Sequence, residues 1–71
     1  MKQTLVLVGQ RIRDLRMEAG FSQEAFADQA QIHRSHIGEI ERGEVNLPLS
    51  VLMKVSQALG VKVSNLVQGI A

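Results

Sequence analysis

Four polar side chains in the middle of the chain carry donors and acceptors that suit the edges of nucleic-acid bases. An arginine fork fits guanine O6 and N7, and a carboxylate accepts a hydrogen bond from cytosine N4 in the major groove. At helical spacing these side chains share one face of a short helix, opposite Ile37 and Ile40, so none is needed for packing. This face indicates hydrogen-bonded reading of base pairs by Arg34, Ser35, His36 and Glu39.

Each of these side chains also has a simpler interpretation, and the sequence leaves the alternatives open. Arg34 either forks onto guanine, which gives about 1–3 kcal/mol of discrimination, or touches only a phosphate. Ser35 reaches a base edge or a phosphate, or only keeps the surface polar. His36 contacts a base edge or a thymine methyl group, or is an ordinary surface histidine. Glu39 accepts from cytosine N4, or lies at the rim of the groove and repels phosphate.

Other chemistries have little support in the residues. His33, His36 and Glu39 have a spacing that suggests a metal site, but two histidines and one carboxylate on an exposed helix, without cysteine, are a weak signal. The sequence has no Ser/His/Asp arrangement, P-loop or glycine-rich phosphate cradle. We therefore expect no catalytic residue, no metal and no cofactor, and a protein that is not an enzyme.

The composition limits the kind of nucleic-acid binding that is possible. The chain has 71 residues, the size of one small domain, and no cysteine that a disulfide would need. Phe21 and Phe26 are the only aromatic residues, too few for the stacking platforms of single-strand binders. The net charge of +1 argues against a purely electrostatic binder, which usually carries a large basic excess. A sequence-reading protein with locally placed positive charge is consistent with these limits.

No stretch of the sequence indicates a membrane protein. The apolar run at residues 5–8 is far too short to span a bilayer, and it lacks the cleavage site of a signal peptide. Together with the absence of cysteine, this leads us to expect a cytoplasmic protein with no membrane partner.

Hydrophobic spacing predicts an all-α fold of five helices. Val8, Ile12 and Leu15 recur at i, i+4 and i+7 in the first helix, after a frayed start over residues 1 to 5. The helices end at Gly20, Gly43, Gly60 and Gly69. The predicted inner stripe of the fourth helix is Leu49, Leu52, Met53, Ser56 and Leu59. The predicted helices span about residues 6–19, 23–30, 34–42, 48–59 and 64–68 of a single domain, 1–71.

Two glycines lie inside predicted helices rather than at their ends. Glycine in a helix interior costs up to about 1 kcal/mol relative to alanine. We expect Gly9 to weaken the first turn of the first helix. Gly38, in the third helix, is interpreted as a position where another group approaches closely.

The second and third predicted helices follow each other closely enough to form a helix-turn-helix. Ser22 and His33 are their predicted N-caps, and Gln31 occupies the turn. Two short helices that cross steeply after a tight turn make this motif. Ala27 is the small residue where the helices cross. The side chains predicted to face one core are Phe26, Ala30, Ile32, Ile37 and Ile40.

The same region resembles the phage-repressor and Cro-like (XRE-type) helix-turn-helix family. The matching stretches are SQEAFADQA, IHRSHIGEIERG and SQALGVKVSNL, and the resemblance covers about Val8 to Val67. Within the family, IHRSHIGEIERGEVN looks most like restriction–modification controller proteins, which are small dimers. The resemblance implies a compact five-helix bundle that binds specific double-stranded DNA and regulates transcription, as a repressor or an activator.

The resemblance also implies roles for residues outside the base-reading face. Arg16 and Glu41 correspond to a partly buried ion pair that ties the first helix to the end of the third. Ser22 is a cap, a phosphate contact or both, and Arg42 contacts a phosphate or only complements the helix dipole. Arg11 and Arg13 add phosphate contacts or are solvated. The predicted phosphate-contacting set is Ser22, Gln23, His33, Arg42 and Asn46.

Three departures from the family pattern lie at the edges of the motif. Gln31 stands where the family usually has glycine, and a positive φ there costs on the order of 1 kcal/mol. His33 stands where the family often caps with serine or threonine. Glu44 and Val45 follow the third helix, where a basic residue is common, so this loop lacks the cation that would contact phosphate in the family.

A single recognition helix reads only a few base pairs, so we expect a homodimer on a (pseudo)palindromic operator. Its two recognition helices would lie about 34 Å apart, one turn of DNA. RNA polymerase is a further candidate partner. The alternative function is an antitoxin-like module that binds a partner protein and autoregulates. Residues that form the dimer surface, or instead complete the monomer's core, are Val51, Val55, Val63, Val67 and Ile70.

Overall fold

Five α-helices follow one another in the computed structural model, which describes residues 2–70. They are α1 (Lys2–Glu18), α2 (Gln23–Ala30), α3 (Arg34–Glu41), α4 (Leu49–Leu59) and α5 (Val63–Val67). The described residues contain no strand, so the all-α prediction is confirmed. The bounds of α2 to α5 differ from the expected ones by at most one residue.

The first helix begins earlier than the sequence suggested. The expectation of a frayed start is wrong for residues 2–5, because α1 already begins at Lys2; Met1 lies outside the described residues. Gly43, just beyond α3, lies against this end of α1. A Cβ added to Gly43 would lie 2.7 Å from the Cα of Val6, so the loop after α3 packs directly on the first turns of α1. This contact between distant parts of the chain is not visible in local periodicity.

One core joins the helices. α1 packs against α3 and α5, and α2 packs against α3 and α4. Ala30 is buried as predicted, and Ile32 is half-buried against the same cluster. The buried cluster itself consists of Val8, Ile12, Phe26, Ala27, Ile37, Ile40, Val55 and Leu66. Both helices of the predicted helix-turn-helix therefore contribute their apolar faces to it.

The predicted inner face of α4 is partly wrong. Leu49 and Met53 are 65% and 46% exposed, whereas Val55 is completely buried. The helix has apolar residues on most of its surface, so two overlapping stripes were possible and the sequence did not distinguish them. The helix buries the stripe that contains Val55 and Ser56, and it leaves Leu49 and Met53 at the surface.

Burial also divides the residues predicted to form the dimer surface. Val55 has no accessible surface left, so its assignment to the dimer interface is wrong. Val51 and Ile70 are half-buried against the core, and Val63 is half-buried as well. Val67 is exposed.

The turn between α2 and α3 has the backbone conformation that glycine adopts most easily. Gln31 has φ 57° and ψ 43°, in the left-handed region. Its backbone N–H donates to the carbonyl groups of Ala27 and Asp28, which caps α2. The turn thus needs a positive φ at Gln31, as the family resemblance implied, and a non-glycine residue there carries a strain on the order of 1 kcal/mol.

Gly9 is a position where α1 and α3 approach closely, rather than a weak point in the first turn. A Cβ at Gly9 would lie 2.4 Å from the carbonyl oxygen of Ile40 and 2.8 Å from that of Glu41. At Gly38, by contrast, the nearest atom is the Arg42 guanidinium at 3.0 Å, and that side chain is exposed and can rotate away. Backbone atoms therefore exclude a side chain at Gly9, whereas only a movable side chain stands in the way at Gly38.

We predict opposite effects of alanine at these two positions. Gly9→Ala should lower the free energy of unfolding by about 1–3 kcal/mol, because α1 must move away from α3. Gly38→Ala, the control, should raise it by up to about 1 kcal/mol through helix propensity. Urea unfolding followed by circular dichroism measures both. A Gly9→Ala variant as stable as the wild type would show that the close approach does not constrain the fold.

Candidate nucleic-acid interface

The polar face of α3 points away from the core. The side chains of Arg34, His36 and Glu39 are 65%, 37% and 45% exposed, and Ser35 is exposed as well. On the opposite side of the same helix, Ile37 and Ile40 are buried. The structure thus brings the four predicted base-reading residues together on one accessible surface, which we call the α3 face.

The start of α3 is held by an unusual cap. His33 has extended backbone angles, φ −61° and ψ 140°, and its ring Nδ1 accepts from the backbone N–H of Ser35 at 3.2 Å. The same ring atom lies 2.8 Å from Ser35 Oγ. The acceptor role of Nδ1 corresponds to the tautomer that carries its ring proton on Nε2. The predicted N-cap is confirmed, and it also fixes the position of the Ser35 hydroxyl.

Acidic side chains accompany the basic side chains of the α3 face. Arg34 NH1 donates to Glu24 Oε2 at 3.0 Å, and His36 Nδ1 lies 3.3 Å from Glu39 Oε1. Glu24 is not among the site residues predicted from the sequence. It lies on α2, and only the turn between the two helices brings it next to Arg34.

Arg42, a predicted phosphate contact, is exposed just after α3. Its Nε lies 3.1 Å from Glu44 Oε1. The hydrogen bond with Glu44, and then the charge of the same carboxylate, raise the pKa of Arg42 above its ordinary value. Arg42 therefore remains a cation available to phosphate, although the acidic residue after α3 competes for it.

The start of α2 combines a cap with a connection to α3. Ser22 Oγ accepts from the backbone N–H of Ala25 at 3.0 Å, so the predicted cap is confirmed. Gln23 is half-buried, and its Nε2 donates to Glu41 Oε1 at 3.0 Å. The amide of Gln23 is thus partly committed to the interior, and its contact with phosphate stays a prediction.

The predicted ion pair between Arg16 and Glu41 is present and buried. Arg16 Nε donates to Glu41 Oε2 at 2.7 Å and NH2 donates to Oε1 at 3.1 Å, with side-chain exposures of 9% and 2%. Arg16 NH1 also donates to the carbonyl oxygen of Phe21 at 2.8 Å. Because Gln23 joins the same carboxylate, this buried network links α1, the start of α2 and the end of α3.

Two other predicted residues have different surroundings. Asn46 is exposed in the loop between α3 and α4, where a phosphate contact is sterically open. Arg11 was expected to be solvated or near phosphate, but it donates to the carbonyl oxygens of Asn65 at 2.9 Å and Gln68 at 3.0 Å. Arg11 therefore ties α1 to the last helix, over a sequence separation that no local pattern reveals.

The described residues offer neither a metal cluster nor a membrane helix. No group of three or more His, Cys, Asp or Glu side chains within residues 2–70 is placed to hold a metal ion. None of the helices described above is both long and apolar enough to cross a bilayer.

Comparison with known proteins agrees with this geometry. The family model described as Helix-turn-helix (HTH_3) matches residues 12–66, which include the α3 face and the buried network. The chain belongs to this helix-turn-helix family. It is accordingly a DNA-binding transcriptional regulator of helix-turn-helix type.

Individual relatives include restriction–modification and phage proteins. The chain is 40% identical over 62 residues to control protein C.BamHI of Bacillus amyloliquefaciens, a match that covers 86% of this chain and 76% of that protein. It is 43% identical over 60 residues to the immunity repressor protein of Bacillus phage phi105. This match covers 84% of this chain and 42% of the phage protein.

A solved structure shows the same helix arrangement. The restriction–modification controller protein C.AhdI from Aeromonas hydrophila superposes with a TM-score of 0.85 at 40% sequence identity. The superposition covers 87% of this chain and 94% of C.AhdI. The helix-turn-helix assigned to α2 and α3 is therefore part of a fold shared with a controller protein.

We predict that the buried network stabilises the fold much more than the surface pairs do. Arg16→Ala would leave the Glu41 carboxylate buried without its cation, which should lower the free energy of unfolding by about 3–5 kcal/mol. DNA binding should weaken mainly because the fold loosens. The control, Arg34→Ala, breaks an exposed pair and should cost under about 1 kcal/mol. Thermal unfolding distinguishes them, and an unchanged melting temperature for Arg16→Ala would refute the role assigned to the network.

Proposed function

We propose that this protein binds a (pseudo)palindromic operator in double-stranded DNA as a homodimer, with α3 in the major groove, and thereby regulates transcription. The observation that carries the proposal is the α3 face, which is polar, accessible and held outward by a buried network. Side chains near the start of a helix in the groove are the ones that reach base edges. Arg34 and Ser35 lie at that start, and His36 and Glu39 follow within the next turn.

The four side chains of the α3 face have complementary roles in this proposal. Arg34 forks onto guanine O6 and N7, and the Glu39 carboxylate accepts from cytosine N4. His36 and Ser35 contact a base edge, a thymine methyl group or a nearby phosphate. The residues that flank the groove and hold the phosphates are Ser22, Gln23, His33, Arg42 and Asn46.

The second copy in this proposal covers the exposed apolar side chains of the last two helices. Leu49 and Met53 lie one turn apart on α4, and Val67 is exposed on α5. Val51, Val63 and Ile70 are half-buried and still have surface to contribute. A two-fold dimer places two α3 faces about 34 Å apart, which matches successive major grooves on one side of DNA. C.BamHI and C.AhdI, the controller proteins compared above, support the same kind of function.

The exposed pair Leu49 and Met53 also suits the alternative function, an antitoxin-like module whose partner protein covers this surface. The two functions differ in what happens to the purified chain. A regulator that dimerises through α4 and α5 buries the pair without any other protein, whereas an antitoxin-like module needs its partner. Contact with RNA polymerase would be a further role of the DNA-bound dimer.

The proposal is tested by selecting operators from a random duplex pool with the wild-type protein. The affinities of the variants are then compared at one fixed salt concentration, and their salt slopes are measured over a series of salt concentrations. Arg34→Ala should lose discrimination at one base pair per half-site, by about 1–3 kcal/mol. Arg42→Ala, the matched loss of a cation, should weaken all sequences alike and reduce the salt slope by about 1. Arg42 is a better phosphate variant than Gln23, because Gln23 also belongs to the buried network.

Sedimentation of the same samples tests the homodimer. The wild type should sediment with the mass of two chains, and the mass of the Leu49→Lys variant should shift toward that of one chain. Leu7→Lys, which changes an exposed leucine on α1, serves as the control and should keep the wild-type mass. No selected operator, or identical effects of Arg34→Ala and Arg42→Ala, would contradict the DNA part of the proposal. A monomer that dimerises neither alone nor on DNA would contradict the rest.

A further inference from the structure

Glu24 lies outside the residues that the proposed function uses, yet it touches the first of them. Its Oε2 accepts from Arg34 NH1 at 3.0 Å, across the turn between α2 and α3. Both side chains are largely exposed, so the pair sits at the surface where DNA would approach. Glu24 is thus an acidic side chain at the edge of a surface that should attract a polyanion.

The geometry of the guanidinium explains how such a pair is compatible with base reading. Arginine has five N–H donors in a planar fork, and Glu24 engages NH1. The other donors remain available for a bidentate contact with guanine. Ordering a free arginine side chain costs conformational entropy, so a side chain already held by a partner loses less of it on binding.

We propose that Glu24 is a positioning residue that sets the sequence specificity of Arg34. The carboxylate holds the guanidinium so that its free edge meets guanine. On any other sequence Arg34 must leave Glu24 to reach a phosphate, and the unpaired carboxylate then repels the DNA backbone. Glu24 therefore helps binding to the operator and hinders binding elsewhere. This inference rests on the proposed reading of DNA by the α3 face.

The proposal predicts that removing the charge of Glu24 lowers the specificity ratio but raises the affinity for random duplex. Glu24→Gln should lower the ratio of operator affinity to random-duplex affinity by about two- to fivefold, the range expected for an exposed pair. The affinity for random duplex should rise, because one negative charge has left the DNA-facing surface. An acidic residue that only repelled DNA would instead increase both affinities equally, and the ratio would not change.

Asp28→Asn is the matched control. Asp28 lies one turn further along α2, is exposed, and loses the same charge in this variant. It should leave the specificity ratio unchanged. Both affinities are measured by fluorescence anisotropy on the selected operator and on a random duplex of equal length. The melting temperatures of both variants should stay close to that of the wild type, since both positions are at the surface.

A double-mutant cycle with Arg34→Ala completes the test. If Glu24 acts through Arg34, Glu24→Gln should not change the specificity ratio in the Arg34→Ala background. An unchanged ratio in the wild-type background, or an equal change in both backgrounds, would overturn the proposal for Glu24 alone. If the wild-type protein bound the operator and the random duplex equally well, the proposed function itself would be contradicted, and this inference with it.

Discussion

The buried ion pair between Arg16 and Glu41 is the interaction on which the rest of this structure depends. Two charges removed from water are tolerated only when their hydrogen-bonding capacity is used. Here the fork of Arg16 engages both carboxylate oxygens and the carbonyl of Phe21, and Gln23 adds a donor. No buried side-chain nitrogen or oxygen in the described part of the chain lacks a partner. Because the pair joins α1 to the last residue of α3, we expect it to set the direction in which the outer face of α3 points.

Around this pair, the packing contacts that build the fold are separate from the four side chains of the α3 face. Gly9 lets α1 lie directly on the carbonyl groups at the end of α3, and the isoleucines of α3 fill the core. The opposite face of the helix is therefore left for recognition. Its cations have acidic neighbours, in line with a net charge of only +1. A sequence-reading protein with so little excess charge needs its cations placed locally rather than spread over the whole surface.

The sequence predicted the elements whose signals are local. Caps and stop residues defined α2 and α3, and the resemblance supplied the pair Arg16 and Glu41 together with the strained turn at Gln31. Features that depend on distant contacts were missed or wrong. The first turn of α1 was not predicted, Arg11 binds carbonyl groups more than fifty residues away, and Glu24 meets Arg34 only across the turn. In α4, periodicity could not choose between two apolar stripes.

The most direct test of this account separates orientation from stability. Replacing both partners, in the double variant Arg16→Met/Glu41→Leu, leaves no unpaired buried charge and should keep the free energy of unfolding near the wild-type value. Without the directional bonds α3 loses its fixed angle, so the folded variant should bind the selected operator more weakly than the wild type while its affinity for random duplex is retained. A stable double variant with unchanged operator affinity would contradict the account, because apolar packing alone would then orient α3.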